Sequence, residues 1–313
     1  MTVINNADMS KYTSFRAGGI ARRLVIIDSP DELISLLAEL KESGEKYLFL
    51  GNGSNTLFLD GEFDGTVIKA GEDFEEMGIV PLTDCGLCEE YVEKLAGEPS
   101  CECFAVSAGS AALLSKVAKV AASYDLTGLE FAAGIPGSIG GGVFMNAGAY
   151  DGEIKDVLCC VTLITEEDGK YVMKEVSADE LDLGYRHSKL METGEIIVTA
   201  TFILKKGNRE EIEAKMKDFS ERRSSKQPLE YPSAGSFFKR PEGNFAGKLI
   251  QEAELAGLKV GGAQVSEKHC GFIINKGDAT ATDIVRLMRL VQNIVDEKFG
   301  IRLEPEVRLI GEL

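Results

Sequence analysis

The spacing of hydrophobic positions predicts four helices. Leucines recur three and four residues apart between residues 29 and 44. This spacing predicts the first helix. At its start, Ser29 is the cap, Pro30 lies in the first turn and Glu32 completes a capping box, and Gly44 stands at its end. Three further helices follow from amphipathic spacing, over residues 110–128, 208–228 and 282–300, the last with a cap at Thr282 or nearby.

Short runs rich in β-branched and aromatic residues predict the strands. They cover residues 46–51, 56–60, 65–71, 195–207 and 302–311, and residues 156–176 form a hairpin that turns at Asp168–Gly169. Helices and strands in this arrangement indicate an α+β protein. The character of the chain changes near residue 206, which predicts a first domain over 1–205, with lobes of about 1–70 and 71–205, and a second over 206–313.

Composition and charge then exclude several classes of function. Of 313 residues, 44% are hydrophobic, but no run is long enough for a bilayer span, and the first residues lack a signal-peptide pattern. We therefore expect a cytoplasmic protein without membrane insertion. A net charge of −17 opposes binding to nucleic acid, and an anionic ligand would need local donors. We expect a monomer that acts on small molecules.

Seven cysteines in a chain without an export pattern indicate reduced thiols. Cys85, Cys88, Cys101 and Cys103 form two close pairs, which fit either a zinc site or free thiols in a surface insertion. We assign no metal, because the second pair is not a C-x-x-C. Cys159 and Cys160 are adjacent on a predicted strand, which indicates packing.

Two glycine-rich stretches are candidates for binding a phosphate-bearing ligand. Residues 50–60 read LGNGSNTLFLD, where Thr56 replaces the third glycine of a dinucleotide fingerprint and a strand follows instead of a helix. This stretch fits either a pyrophosphate nest or a plain tight turn. Residues 128–150 read GLEFAAGIPGSIGGGVFMNAGAY. Their glycines would admit either a large cofactor or a tight crossing of two protein segments, and the two stretches together favour the cofactor.

Seven blocks, which span nearly the whole chain in order, resemble the UDP-N-acetylenolpyruvoylglucosamine reductase (MurB) family of peptidoglycan synthesis. They are TSFRAGG, GNGSNTL, residues 128–150, GYRHS, QPLEYPSAGSFFKRPEGNFAGKLI, GGAQVSEKHCGFIIN and LEPEVRLIG. The resemblance implies a two-lobed FAD-binding domain of the vanillyl-alcohol-oxidase type with a C-terminal substrate domain. It also implies non-covalent FAD, NADPH as co-substrate, and reduction of UDP-N-acetylglucosamine enolpyruvate to UDP-N-acetylmuramate.

The same resemblance implies roles for individual residues. Arg186 matches the cation that stabilises the enolate-like charge, Ser236 the proton donor, and Glu306 a second acid. Substrate contacts are expected at Tyr185, Lys226, Lys239 and Arg240. Cofactor contacts are expected at Gly51, Asn52, Gly53, Ser54, Asn55, Gly134, Ile135, Pro136, Gly137, Ser138, Gly140, Gly141 and Asn146.

The chain also departs from the family pattern. Residues 75–103 form a longer link than usual, Asp151 and Glu254 stand where glycine is common, and the substrate-covering loop of the longer branch is missing from residues 185–202. Two alternatives stay open. One is another FAD-dependent oxidoreductase of this fold that acts on a hydroxy acid or sugar lactone. The other is a non-catalytic binding module, against which the joint presence of Arg186, Ser236 and Glu306 argues.

Overall fold

A computed structural model describes residues 1–84 and 102–312 of the chain. The chain divides into two compact units, and each is built from segments that are separated in sequence. The first unit contains Met1–Thr2, Val25–Gly51 and Ile68–Arg222. The second unit contains Val3–Leu24, Asn52–Val67 and Arg223–Leu313. The domain boundary predicted near residue 206 stays a prediction.

The described residues form both helices and strands. The helices are α1 Pro30–Ser43, α2 Leu114–Ser123, α3 Ile139–Phe144, α4 Leu190–Thr193, α5 Arg209–Lys226, α6 Ala246–Glu252 and α7 Ala281–Phe299. The strands are β1 Thr2–Asp8, β2 Ile20–Ile27, β3 Tyr47–Phe49, β4 Thr56–Phe58, β5 Glu62–Ala70, β6 Met77–Pro81, β7 Cys103–Gly109, β8 Leu126–Thr127, β9 Gly148–Ala149, β10 Gly152–Glu153, β11 Leu158–Glu167, β12 Lys170–Ser177, β13 Ile196–Lys206, β14 Lys259–Val260, β15 Ala263–Val265, β16 Ile273–Asn275 and β17 Arg308–Ile310. A four-stranded sheet has the order β1-β2-β5-β3.

The first unit is organised around a six-stranded antiparallel sheet. Its order is β12-β11-β13-β7-β6, and β8 also pairs with β13. One hydrophobic cluster includes residues of β7, β11 and β13 together with Val117 of α2 and Val143 of α3. A second cluster contains Leu33, Leu37 and Leu40 of α1. Burial of these side chains is the main force that holds α1, α2 and α3 in the unit.

The second unit has its own core. Strands β14, β15 and β16 form an antiparallel sheet, and β4 pairs with β17 in parallel. Helix α7 buries Ile284, Leu287 and Val291 in a cluster that also includes Phe15 and Phe237. This core therefore supports the segment around residue 237, where part of the candidate site lies.

The predicted ends of α1 and α7 can be compared with the structure. Ser29 caps α1 and accepts a hydrogen bond from the Glu32 N–H at 3.2 Å, as predicted. The capping box at α1 is wrong, because the Glu32 carboxylate accepts from the Asp28 N–H at 2.9 Å instead. The cap of helix α7 lies two residues before Thr282, since Thr280 is the cap and forms a reciprocal box with Asp283. Both helices end at a glycine in the left-handed region.

The hairpin predicted over residues 156–176 is confirmed. Strands β11 and β12 pair in antiparallel register, with Glu167 opposite Lys170. Asp168 has φ +49° and Gly169 has φ +80°, and a two-residue turn of this kind requires both to be left-handed. Among the helices of the described chain, none combines the length and the apolar character needed to cross a membrane.

Candidate active and cofactor site

In the first unit, Gly51 lies against the second glycine-rich stretch. It lies two residues after the end of β3, and the Leu50 N–H before it donates to the Ile68 carbonyl at 2.8 Å. A Cβ on Gly51 would lie 2.8 Å from the Ser138 hydroxyl oxygen and 3.7 Å from the Cα of Gly141. The structure therefore brings three predicted cofactor residues, Gly51, Ser138 and Gly141, into one narrow cradle that a side chain would fill.

Lys69 on β5 adds a cation to this cradle. Its ammonium group donates to the Gly51 carbonyl at 2.9 Å, and burial lowers the pKa of the lysine. In the part of the chain that the structure describes, Lys69 has no carboxylate within ion-pair distance. A desolvated cation beside glycine backbone suits an anionic group such as a diphosphate. Sequence reasoning missed Lys69, although a lysine within the apolar strand GTVIKA was a usable signal.

Two glycines of α3 are required by protein packing. A Cβ on Gly140 would lie 2.9 Å from the Cβ of Ser110, and one on Gly142 would lie 2.8 Å from a Leu114 methyl group. At these two positions the glycines allow a tight crossing of protein segments, which was the alternative to cofactor contact. Gly141 differs, because among the described residues its Cβ would meet only the Ser138 hydroxyl, at 3.4 Å.

The residues that precede α3 lie in a turn of the first unit. A short 3-10 helix spans Glu130–Gly134, and the Ile135 N–H donates to the Ala132 carbonyl at 3.0 Å. The Gly137 carbonyl accepts from the Leu114 N–H at 3.0 Å. The predicted contacts at Gly134, Ile135, Pro136 and Gly137 stay predictions.

Arg186 lies in a tight turn of the first unit. The Gly184 N–H donates to the His187 carbonyl at 3.1 Å, and the His187 N–H donates back to the Gly184 carbonyl at 3.2 Å. Arg186 has φ +53°, a value that residues with a side chain rarely adopt. Its guanidinium donates to the Gly148 carbonyl at 3.1 Å and lies 5.2 Å from the centre of the exposed Tyr185 ring. The cation is thus fixed on both sides.

Asn146, a predicted cofactor contact, is fully buried close to this turn. Its side-chain amide donates to the Gly184 carbonyl at 2.9 Å and to the Glu153 carboxylate at 2.8 Å. Its side-chain oxygen accepts from the Lys155 N–H at 3.0 Å. The amide therefore connects the glycine-rich stretch to the turn that carries Arg186.

In the second unit, the first glycine-rich stretch leads to the segment of Glu306. Gly53 has φ +64°, and a Cβ there would collide with the Tyr12 carbonyl. The Asn55 side chain donates to the Glu306 carbonyl at 3.1 Å, and the Asn55 carbonyl accepts from the Arg308 N–H at 3.0 Å. The structure thus brings Asn55 and Glu306 together. Asn52 is exposed and Ser54 half-buried.

Ser236 and Glu306 lie on adjacent segments of the second unit. Gly235, with φ +77°, turns the chain just before the serine. The Phe237 N–H donates to the Gly271 carbonyl at 2.8 Å, and the Phe237 carbonyl accepts from the Glu306 N–H at 2.8 Å. The Ser236 side chain is exposed, and its hydroxyl has no hydrogen-bond partner within residues 1–84 and 102–312. This hydroxyl is available to a ligand.

His269, which sequence reasoning left without a role, supports the same segment. Its Nδ1 accepts from the Gly271 N–H at 3.1 Å, and its ring lies edge-on to Phe272 with centroids 5.0 Å apart. Burial lowers the pKa of His269, and the positive charge of Lys226 lowers it further. A neutral imidazole with a proton on Nε2 fits this arrangement, because Nδ1 must be an acceptor.

The predicted substrate cations of the second unit have different environments. Lys239 pairs with Glu304 at 3.5 Å, and the Arg240 guanidinium lies 4.0 Å from the centre of the Phe245 ring. Lys226 is exposed at the end of α5. Contacts of all three with substrate stay predictions, as does that of Tyr185.

The zinc alternative falls mostly on residues that are not described. Cys85, Cys88 and Cys101 lie outside the described residues, while Cys103 is buried in β7. Within the described part of the chain, no group of three or more histidine, cysteine, aspartate or glutamate side chains is placed to hold a metal ion. Cys159 and Cys160 are both buried.

Comparison with known proteins identifies two regions of the chain. The model of an FAD binding domain matches residues 21–173. The model of the C-terminal domain of UDP-N-acetylenolpyruvoylglucosamine reductase matches residues 227–310.

Near-full-length relatives carry the same enzyme name. The UDP-N-acetylenolpyruvoylglucosamine reductase of Lachnoclostridium phytofermentans is 47% identical over 307 residues, which is 98% of this chain and 92% of the relative. That of Agathobacter rectalis is 47% identical over 312 residues, which is 99% of this chain and 94% of the relative. The crystal structure of the MurB enzyme from Thermus caldophilus superposes with a TM-score of 0.78 at 32% identity, over 99% of this chain and 98% of that one.

Proposed function

Because the chain belongs to the UDP-N-acetylenolpyruvoylglucosamine reductase family, we propose that Arg186, Ser236 and Glu306 are its catalytic residues. The chain is an FAD-dependent oxidoreductase of peptidoglycan synthesis. It uses NADPH to reduce UDP-N-acetylglucosamine enolpyruvate to UDP-N-acetylmuramate. Its fold is α+β, with an FAD-binding domain of the vanillyl-alcohol-oxidase type and a C-terminal substrate domain.

The proposed cofactor site uses residues of both glycine-rich stretches. Once reduced by NADPH, FAD bound here would supply a hydride to the terminal carbon of the enolpyruvyl double bond. The cradle of Gly51, Ser138 and Gly141 leaves room where side chains would stand, and the Lys69 ammonium offers a positive charge there. Asn52, which is exposed, and Ser54, which is half-buried, stay proposed cofactor contacts. These features fit a diphosphate-bearing cofactor.

Arg186 stabilises the negative charge that develops on the substrate carboxylate. A guanidinium suits this role because it presents several N–H donors in a fixed plane. Its contact with the Gly148 carbonyl and the two hydrogen bonds of its turn hold it in position before the reaction. Such preorganised stabilisation is typically worth about 3–4 kcal/mol for each donor that is removed.

Ser236 donates the proton that completes the lactyl ether. A serine hydroxyl is a weak acid, so it serves only when the geometry is fixed and the carbanionic carbon is strongly basic. The hydrogen bonds on both sides of Phe237 fix the backbone next to the serine, and the hydroxyl itself is exposed. Glu306, whose N–H forms one of those bonds, is proposed as the second acid, orienting the network around the proton donor.

The remaining parts of the proposal concern substrate and cellular context. Tyr185, Lys226, Lys239 and Arg240 are proposed to contact the diphosphate or carboxylate of the substrate. We place the flavin domain at residues 1–205 and the substrate domain at 206–313. The protein is proposed to act as a cytoplasmic monomer, without a nucleic-acid partner, in line with its net charge of −17.

The Ser236→Ala variant tests the proposed role of the serine. Reduction of the bound flavin by NADPH should proceed at the wild-type rate, because this half-reaction involves no protonation of the substrate. Reoxidation by the enolpyruvyl substrate should slow by about 10²–10⁴-fold. Anaerobic stopped-flow absorbance of the flavin measures both steps separately. Wild-type rates in both half-reactions would show that Ser236 is not the proton donor.

A further inference from the structure

The Arg186 turn is joined to the last residue of α3 and to the chain that follows it. Three side-chain hydrogen bonds make this connection. The Arg186 guanidinium donates to Gly148, the Asn146 amide donates to Gly184, and the Ser188 hydroxyl donates to the Phe144 carbonyl at 2.6 Å. Each therefore links the turn to residues 144–148.

Asn146 is the most constrained of these anchors. It is 0% exposed, and its backbone has φ +42°, which asparagine tolerates better than most residues. A side-chain amide has two N–H donors and one oxygen. Both N–H directions are accounted for by Gly184 and Glu153, and the oxygen accepts from Lys155. The side chain is thereby locked in one orientation that points an N–H at the turn.

The Gly184 carbonyl is the point where this lock acts on Arg186. It accepts from the His187 N–H, which closes the turn, and from the Asn146 amide, which fixes the turn in place. A left-handed arginine stores roughly 1–3 kcal/mol of strain, so the turn needs external support to persist. The buried amide supplies that support from a second segment.

We propose that Asn146 is a positioning residue for catalysis, whose amide holds the Gly184 carbonyl and so places the Arg186 guanidinium. This inference rests on the proposed role of Arg186. It also changes the role of Asn146 from a cofactor contact to a link between the glycine-rich stretch and the catalytic cation. A displacement of about 1 Å at a reacting group can lower a rate by about 10²-fold, so loss of the amide should affect the chemistry strongly.

The Asn146→Gly variant tests this proposal in the full-length FAD-loaded enzyme. Glycine adopts positive φ without strain. The exchange therefore removes the three side-chain hydrogen bonds while residue 146 can keep its left-handed backbone conformation. We expect reduction by NADPH to stay within about twofold of wild type, and reoxidation by the enolpyruvyl substrate to slow by about 10- to 100-fold. Flavin fluorescence should show FAD binding unchanged within about threefold, because the effect acts through Arg186.

A double-mutant cycle separates positioning from a general structural role. In an Arg186→Ala background, Asn146→Gly should slow reoxidation by less than about twofold, because the group that it positions is absent. Equal slowing in both backgrounds would overturn the inference while leaving the proposed function intact. A wild-type reoxidation rate in Arg186→Ala alone would overturn both.

Lys155→Met is the matched control. It removes the ion pair of Lys155 with Glu153 at 2.6 Å but keeps the Lys155 N–H that Asn146 accepts. Both half-reactions should match wild type. If Asn146→Gly yields no folded protein, Ser188→Ala removes the second anchor and takes its place in the same cycle. Slowing by Ser188→Ala that disappears in the Arg186→Ala background supports the proposal, and slowing that persists there overturns it.

Discussion

Two turns carry the proposed catalytic groups, and they solve the same backbone problem differently. In the turn Gly184–His187, the left-handed residue is Arg186 itself, with φ +53°. In the turn before Phe237, Gly235 is the left-handed residue, with φ +77°, and Ser236, the proposed proton donor, follows it. One turn therefore strains the functional residue, while the other leaves the strain-tolerant position to a glycine.

The two turns also differ in how firmly hydrogen bonds hold the functional side chain. Arg186 is held by Gly148, and Asn146 and Ser188 hold the turn from residues 144–148. The Ser236 hydroxyl is exposed, without a hydrogen-bond partner among the described residues, although Phe237 beside it is bonded on both sides. A cation that stabilises charge gains from being fixed in advance. A proton donor must instead be free to meet its acceptor, so only its backbone is fixed.

Of the exchanges at the two left-handed residues, Arg186→Gly should have the larger effect on the rate of reoxidation. Arg186→Gly removes the guanidinium and also the strain of the left-handed arginine. We expect reoxidation by substrate to slow by about 10²–10³-fold. The free energy of unfolding should not fall, because the relieved strain of roughly 1–3 kcal/mol offsets the lost Gly148 hydrogen bond. Stopped-flow absorbance and urea unfolding measure the two effects.

The control for this exchange is Arg186→Lys, which keeps a charge and the left-handed strain. Its reoxidation rate should lie between those of wild type and Arg186→Gly, because lysine lacks the planar set of donors. A glycine variant that reacts as fast as wild type would mean that the turn, and not the cation, matters.

A side chain at Gly235 should have a moderate effect. Beyond its two chain neighbours, no atom of the described residues lies within 4 Å of the position of a Cβ on this glycine. Gly235→Ala therefore costs the conformational penalty, about 1–2 kcal/mol in the free energy of unfolding. Ser236 should also be displaced, which would slow reoxidation while NADPH reduction is unchanged. Unfolding in urea together with half-reaction rates measures both. If Gly235→Ala left the free energy of unfolding unchanged, the left-handed backbone at residue 235 would not disfavour a side chain.

Glu254 allows the opposite exchange, in which glycine replaces a left-handed residue that lies outside both turns. It follows α6 with φ +63°, its N–H donates to the Gln251 carbonyl, and the Leu255 N–H donates to the Ile250 carbonyl. This pattern is a Schellman motif, in which glycine is preferred at the left-handed position. Glu254→Gly should therefore raise the free energy of unfolding by about 1 kcal/mol without changing either half-reaction.

Local features of the fold could be predicted from the sequence because they depend on neighbours along the chain. The cap at Ser29, the stop at Gly300 and the hairpin at Asp168–Gly169 all follow from the preferences of residues within one turn. The two units could not be predicted. They interleave segments that are far apart in sequence, such as Asn52–Val67 and Arg223–Leu313, and no local pattern records that contact.

The sequence points to residue types for the candidate site, whose roles stay predictions, but it does not point to the connections between them. Motifs pointed to Arg186, Ser236 and Glu306, yet nothing in GYRHS indicates that Asn146 supports the turn from 38 positions away. Gly140 and Gly142 show the same limit. A glycine in the sequence indicates a close approach to its backbone. Only the packing in the structure shows that the neighbours are Ser110 and Leu114.

Acid should have the smallest of the expected effects, through the Ser236 turn. The Ser236 segment depends on His269 through Gly271. Burial, then the nearby Lys226, lowers the pKa of His269, so the unfolded chain binds its proton more readily than the folded protein. The stability that neutral His269 contributes is present above the unfolded pKa of about 6.5. It is lost as the pH falls from there toward the folded pKa.

The His269→Gln variant measures this contribution, since glutamine offers an acceptor but does not titrate near neutrality. Urea unfolding at about pH 7.5 and about pH 5.5 should show a larger loss of stability for wild type than for the variant. Reoxidation by substrate should show the same difference, because protonation of Nδ1 removes the acceptor for the Gly271 N–H and loosens the backbone beside Ser236. NADPH reduction should not show it. Parallel acid profiles for the two proteins would mean that neutral His269 does not support the Ser236 turn.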